Sequence, residues 1–161
     1  MKYKLLIVLV VVFLILSVIY ILNNKNSGPS EISLKIFFSN NQLDPEISCV
    51  KVFPVLRQIG ADNNRTNFYT AVLEFLLRGP GEKEKSTGYF TSINLGVKVQ
   101  KISFQEGILN VDFSEELERE VGGSCRVSAI RAQIIETLKQ FPEVKDVKIS
   151  VNGRSEDILQ P

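Results

Sequence analysis

The sequence predicts an α+β fold: a mixed five-stranded sheet with two helices on one face, in the order β-β-α-β-β-α-β, preceded by one transmembrane helix. Three observations predict it. An uncharged apolar block fills residues 5–22; two segments carry apolar residues at spacings of three and four; five segments alternate apolar with polar residues. The implied division is a cytoplasmic N-terminus at 1–4, a signal anchor at 5–22, a linker at 23–30 and an extracytoplasmic domain at 31–161.

Leu5 to Leu22 reads LLIVLVVVFLILSVIYIL. As a helix at about 1.5 Å per residue it reaches roughly 27 Å, close to the hydrocarbon thickness of a bilayer. Lys2 and Lys4 precede it, while only Lys25 follows closely, so the positive-inside rule places the soluble part outside the cytoplasm. A cleaved signal peptide is the rival reading. The block is longer than a usual signal core and no small-x-small site follows it, which favours an uncleaved anchor. Asn23 to Ser30 is polar, contains Gly28 and Pro29, and reads as a linker.

Strand one follows at Ile32, Leu34, Ile36 and Phe38. Strand two runs near Cys49 to Ile59, with Pro54 inside it. Proline donates no N–H, so this strand belongs at an edge or is bulged there. The first helix is predicted over Thr66 to Arg78, with Thr66 as N-cap and Phe68, Tyr69, Val72, Leu73 and Leu76 as its apolar stripe. Arg78-Gly79-Pro80 ends it: a cation in the last turn, a C′ glycine and a proline that cannot continue. Residues 81–88 read as a charged loop.

Val97 to Phe104 and Ile108 to Phe113 predict a hairpin through Gln105-Glu106-Gly107. Leu109, Val111 and Phe113 face in. The apolar phase slips between Val99 and Ile102, which predicts a bulge near Gln100 or Lys101. The second long helix spans Ser124 to Gln140, with Val127, Ile130, Ile134 and Leu138 on its apolar face and Arg126, Arg131, Gln133, Glu136 and Lys139 on the remainder. Pro142 stops it. Val144 to Val151 is the last strand, turning at Asn152-Gly153.

Composition narrows the chemistry. The net charge is +1; setting aside Lys2 and Lys4, 19 − 2 leaves 17 basic against 18 acidic residues, with no basic run to suit nucleic acid. There is no histidine, which removes the commonest general base and zinc ligand. Two cysteines, Cys49 and Cys125, are too few for a zinc cluster. In an exported domain they read as one disulfide; two buried thiols are the alternative. No metal site and no cofactor is expected. Gly122-Gly123-Ser124 resembles an anion-binding turn but lacks the rest of a phosphate loop, so capping by Ser124 accounts for it better. Asp112, Glu115, Glu116, Glu118 and Glu120 do not follow calcium-loop spacing and read as a solvated acidic face. Asn64-Arg65-Thr66 is formally a glycosylation sequon.

Several phrases taken together resemble the GerMN domain of sporulation and germination proteins. They are Leu76 to Pro80 with Gly79 and Pro80, Glu84, Gly88-Tyr89, Gly107, Val111-Asp112, Gln133, Thr137, Gln140-Phe141-Pro142, Val144 and Gly153, across about Ile32 to Pro161. Asn94 stands where many members of that family place a proline. The resemblance implies an exported bacterial envelope module, held by a lipid or a membrane helix, not known as an enzyme, and assembling through domain–domain contacts. The expected function is therefore a non-catalytic, membrane-tethered domain for protein–protein assembly or envelope association. The alternative is a small-ligand or peptidoglycan-fragment binder, or an accessory to a cell-wall hydrolase.

Overall fold

The computed structural model describes residues 2–24, 31–60 and 64–160. It divides into two compact units, Met1–Glu31 and Ile32–Pro161. In the first, α1 covers Lys2–Asn24. Among the described residues no helix is long and apolar enough to cross a membrane. The predicted span at 5–22 is only partly among them, since the side chains of residues 5, 6, 8, 21 and 22 lie outside the described set. The predicted linker falls largely on residues 25–30, also outside the described residues.

The second unit contains β1 (Glu31–Asn40, shared at its first residue), β2 (Phe53–Gly60), α2 (Arg65–Arg78), α3 (Glu82–Lys85), β3 (Tyr89–Phe90), β4 (Val99–Gln105), β5 (Ile108–Phe113), a 3-10 turn (Glu115–Leu117), α4 (Ser124–Lys139) and β6 (Asp146–Val151). The single five-stranded sheet expected from the sequence is not what forms. Among the described residues there are two three-stranded sheets, ordered β2-β1-β3 and β4-β5-β6. The additional strand, β3, pairs with β1 only at Ser39 and Asn40. Two residues are too few to leave a period-two signal.

Other expectations hold in detail. Pro54 lies in β2, an edge strand. β4 and β5 form an antiparallel hairpin with an irregular register between Val99 and Lys101. Its turn uses Glu106 and Gly107, at φ 54° and 85°, the pair of positive values that a two-residue turn needs to match strand twist. β5 and β6 are parallel and joined across α4. Leu109, Val111 and Phe113 are fully buried.

Helix ends depart from the prediction. The α2 cap is Asn64, not Thr66: its side-chain oxygen accepts from the Thr66 and Asn67 N–H groups at 3.0 and 3.2 Å. Any of Asn, Ser, Thr or Asp can cap, so adjacent candidates are decided by geometry. Gly123, rather than Ser124, is the N-cap of α4, and no side chain caps that helix. The charged loop at 81–88 contains α3, where the Glu84 carboxylate accepts the Gly81 N–H at 2.6 Å. Gly79 ends α2 as expected, its N–H donating to Leu76 O.

One apolar core unites both sheets with α2 and α4. Leu34, Ile36 and Phe38 of β1 join Val111 and Phe113 of β5, Ile130, Ile134 and Leu138 of α4, and Val72, Leu73 and Leu76 of α2. Each such side chain contributes about 1.5–3 kcal/mol on full burial. α2 packs on β4 and α4, and α4 packs on β6.

Candidate functional site

The resemblance-derived positions divide into two groups. Gln133 and Thr137 belong to a polar seam between α4 and β1. Gln133, expected on the outer face of its helix, is fully buried: its Nε2 donates to Ser39 Oγ at 3.1 Å and its Oε1 accepts from Thr91 Oγ1 at 2.8 Å. Thr137 Oγ1 accepts the Phe37 N–H at 3.1 Å. Gln140 exchanges two bonds with Lys35, accepting its N–H at 2.9 Å and donating to its carbonyl at 2.6 Å. Residues 35, 37 and 39 share one edge of β1 with Asn41, whose N–H donates to Gly88 O. β3 covers that edge only at its end, so side chains at helical spacing do a partner strand's work for the remainder.

The second group fixes turns and corners. Glu84 forms a two-pronged ion pair with Arg57 at 2.6 and 2.8 Å. That bond, helped by the Gly81 N–H, holds the Glu84 carboxyl below its ordinary range against the cost of burial. Gly88 has φ 88°, and a Cβ there would sit 2.6 Å from Asn41 Oδ1, so no other residue fits without displacement. Asp112 accepts from Ser150 Oγ at 2.7 Å and from the Gly153 N–H at 2.8 Å. The Phe141 ring stands edge-on to Phe68 and Tyr69, at 5.2 and 5.5 Å, and Pro142 follows it. Burial, and then Glu143, push the Tyr69 hydroxyl well above its usual range. Pro80 is buried behind the α2 terminus.

The acidic stretch is spread over structural contacts. Glu115 and Glu116 meet Arg119, and Glu118 meets Arg154. Hydrogen bonding from Ser114 lowers the Glu116 carboxyl. Among the described residues no group of three or more acidic or cysteine side chains could hold a metal ion.

The candidate site lies at the opposite end of α4 from Gln140. Cys49 and Cys125 are joined by a disulfide, with Cα atoms 5.0 Å apart. Cys49 lies in the loop between β1 and β2, not at the start of a strand, and Cys125 in the first turn of α4. The bridge borders a cavity of about 370 Å³ whose apolar lining includes Ile47, Phe90 and Ala129. The loop is built around Asp44, which accepts from the Ser48 N–H and hydroxyl at 2.8 and 2.7 Å and lies 3.4 Å from Lys51 Nζ. The Ser48 hydroxyl is the main cause of a lowered Asp44 carboxyl. Ile47 and Cys49 take left-handed backbone angles, φ 52° and 67°, which an isoleucine adopts only under constraint.

Arg126 reaches the same cavity. Its Nη2 donates to Asn94 Oδ1 at 2.5 Å and its Nη1 to Glu120 O at 3.2 Å. The Asn94 amide in turn donates to Glu116 O and Arg119 O, both at 2.7 Å. Sequence reasoning noted Asn94 but assigned neither it nor Arg126 to a site; the 32 residues between them leave no local signal.

Comparison with known proteins places the fold. Residues 35–157 match the family described as Germane: Sporulation and spore germination. The spore germination protein GerM of Bacillus subtilis (strain 168) is 31% identical over 106 residues, which cover 64% of this chain and 28% of that protein. The chain thus spans under a third of that curated relative. Among solved structures, the tandem GerMN domains of GerM from Bacillus subtilis superpose with a TM-score of 0.58 at 24% identity, over 81% of this chain and 42% of the other. The first GerMN domain of the same protein gives 0.54 at 16% identity, over 77% and 85%.

Proposed function

The chain belongs to the Germane family of sporulation and spore germination, and from that premise we propose that it is a non-catalytic binding module tethered to the outer face of the cell membrane. The uncharged block at 5–22, contained within helix α1, supports the tether. Its flanking lysines support the orientation. The observation that carries the binding role is apolar surface beside the cavity. Leu43, Ile47 and Val50, on one loop, are 55%, 62% and 59% exposed, and Phe90 is 41% exposed. Exposed apolar side chains grouped on one structured loop suit contact with another protein. Tethering confines modules to a plane and raises their effective concentration, so weak contacts suffice for assembly.

The test is association of the full-length protein in lipid vesicles, read by energy transfer between labelled copies and between this protein and envelope candidates. Association should rise with surface density and fall about tenfold with Ile47→Asp, on the scale of one lost apolar anchor. Monomeric behaviour at every density, with no partner recruited, sinks the assembly reading. The cavity favours a second reading, binding of a small ligand. Its volume of about 370 Å³ lies at the low end of the range of about 300–1,000 Å³ typical of ligand sites.

A further inference from the structure

The cavity has one feature that a generic apolar contact surface does not need. Arg126 lines it, yet makes no ion pair among the described residues. Both of its hydrogen-bond partners are neutral oxygens, from the Asn94 side chain and the Glu120 backbone. Guanidinium carries five N–H donors, so two used leaves three. Among the described residues the one acid lining the cavity, Asp44, is already engaged by Ser48 and Lys51, while Glu116 and Glu120 line a neighbouring cavity that Arg126 also borders. Asn94 is itself held by two backbone carbonyls, which fixes the guanidinium in place.

We propose that this cavity is a binding site for a carboxylate carried on a small apolar group, the carboxylate meeting Arg126 and the apolar part lying against Ile47, Phe90, Ala129 and the Cys49–Cys125 bridge. The inference rests on the small-ligand reading and assigns that reading a chemistry. A carboxylate matches the planar donor fork of arginine better than any neutral head group. A positioned guanidinium loses little freedom when it binds. The lining beyond it is apolar enough to reward burial of a short aliphatic or aromatic body. Two sources share this chemistry: a free organic acid, and the C-terminus of a peptide ending in an apolar residue.

The experiment is calorimetric titration of the full-length protein in lipid nanodiscs with four probes. 3-Phenylpropionate and its neutral alcohol form one pair; N-acetyl-alanyl-phenylalanine and its C-terminal amide form the other. Each carboxylate should bind at least about tenfold more tightly than its neutral counterpart, the scale of one charge-assisted hydrogen bond. Arg126→Gln should abolish that preference while leaving the disulfide and the melting temperature unchanged, since Arg126 is exposed. Asn94→Ala should weaken it by a smaller factor through loss of positioning. The tighter pair identifies the source. Equal binding of acid and neutral probe, or a preference that survives Arg126→Gln, overturns the carboxylate assignment and leaves the small-ligand reading standing. Binding of none of the four overturns both.

Discussion

The two ends of α4 are held by different means. Toward its C-terminus, Gln133, Thr137 and Gln140 hydrogen-bond β1 one after another, while Ile134 and Leu138 on the same turns are fully buried. At its N-terminus the helix has no side-chain cap, and Ser124, Cys125 and Arg126 are exposed. There the disulfide ties it to the 41–52 loop. One end is fixed by a run of hydrogen bonds to a strand, and the other by a covalent bond and the Arg126 contacts with Asn94 and Glu120 beside a cavity. A binding surface suits the second arrangement, because surface there stays uncovered while the loop remains positioned.

The largest effect should come from breaking the covalent end. Cys49→Ser with Cys125→Ser removes a bridge across 76 residues and should lower stability by about 4 kcal/mol on the chain-entropy view. In hydrogen exchange, amides of the 41–52 loop should lose protection beyond that global change, while the Lys35 and Phe37 amides follow it. Equal extra loss at both sites would dissolve the contrast between the ends.

The seam should respond next. Gln133→Leu strands the buried Ser39 hydroxyl, leaves the Thr91 hydroxyl only the Ile93 N–H it accepts, and should cost about 2–3 kcal/mol; Thr137→Val, which leaves only the Phe37 N–H unmet, about 1 kcal/mol. Urea titration reads both. A seam variant that altered exchange in the 41–52 loop alone would reverse the assignment.

The smallest effect is pH-dependent and concerns one carboxylate at the cavity loop and one away from both ends of α4. Asp44 braces the cavity loop and Glu84 pairs with Arg57, and both carboxyls are depressed in the folded protein. A depressed carboxyl adds stability above its unfolded pKa of about 4 and loses it as pH falls through the folded value. Stability should therefore decline below about pH 4, and Glu84→Gln should flatten part of that decline at a cost near neutrality of about 1 kcal/mol. Urea midpoints measured between pH 7 and pH 3 check the sign.

How much was legible in advance depended on how local the determining physics is. The α2 terminus at Gly79-Pro80, the bulge near Val99 to Lys101, the Glu106-Gly107 turn and the inward set Leu109, Val111 and Phe113 all follow from neighbours in sequence. The cap of α2 was missed by two residues because Asn64 and Thr66 offer the same chemistry. The sequence puts Gln133 on the outer face because a glutamine amide reads as solvent-facing until a buried hydroxyl 94 residues away is found to accept from it.

Sequence alone determined the local elements, the uncharged 5–22 block, the absence of histidine and the resemblance that the family match bears out. These depend on periodicity, capping and composition, which act over a few residues. Only the tertiary structure decided that the six strands among the described residues divide into two sheets, that α4 side chains complete the β1 edge, and that Arg126, held by Asn94, meets the Cys49–Cys125 bridge at one cavity. Those depend on which polar groups face each other once the chain has closed, and burial obliges each to find a partner irrespective of its distance along the sequence.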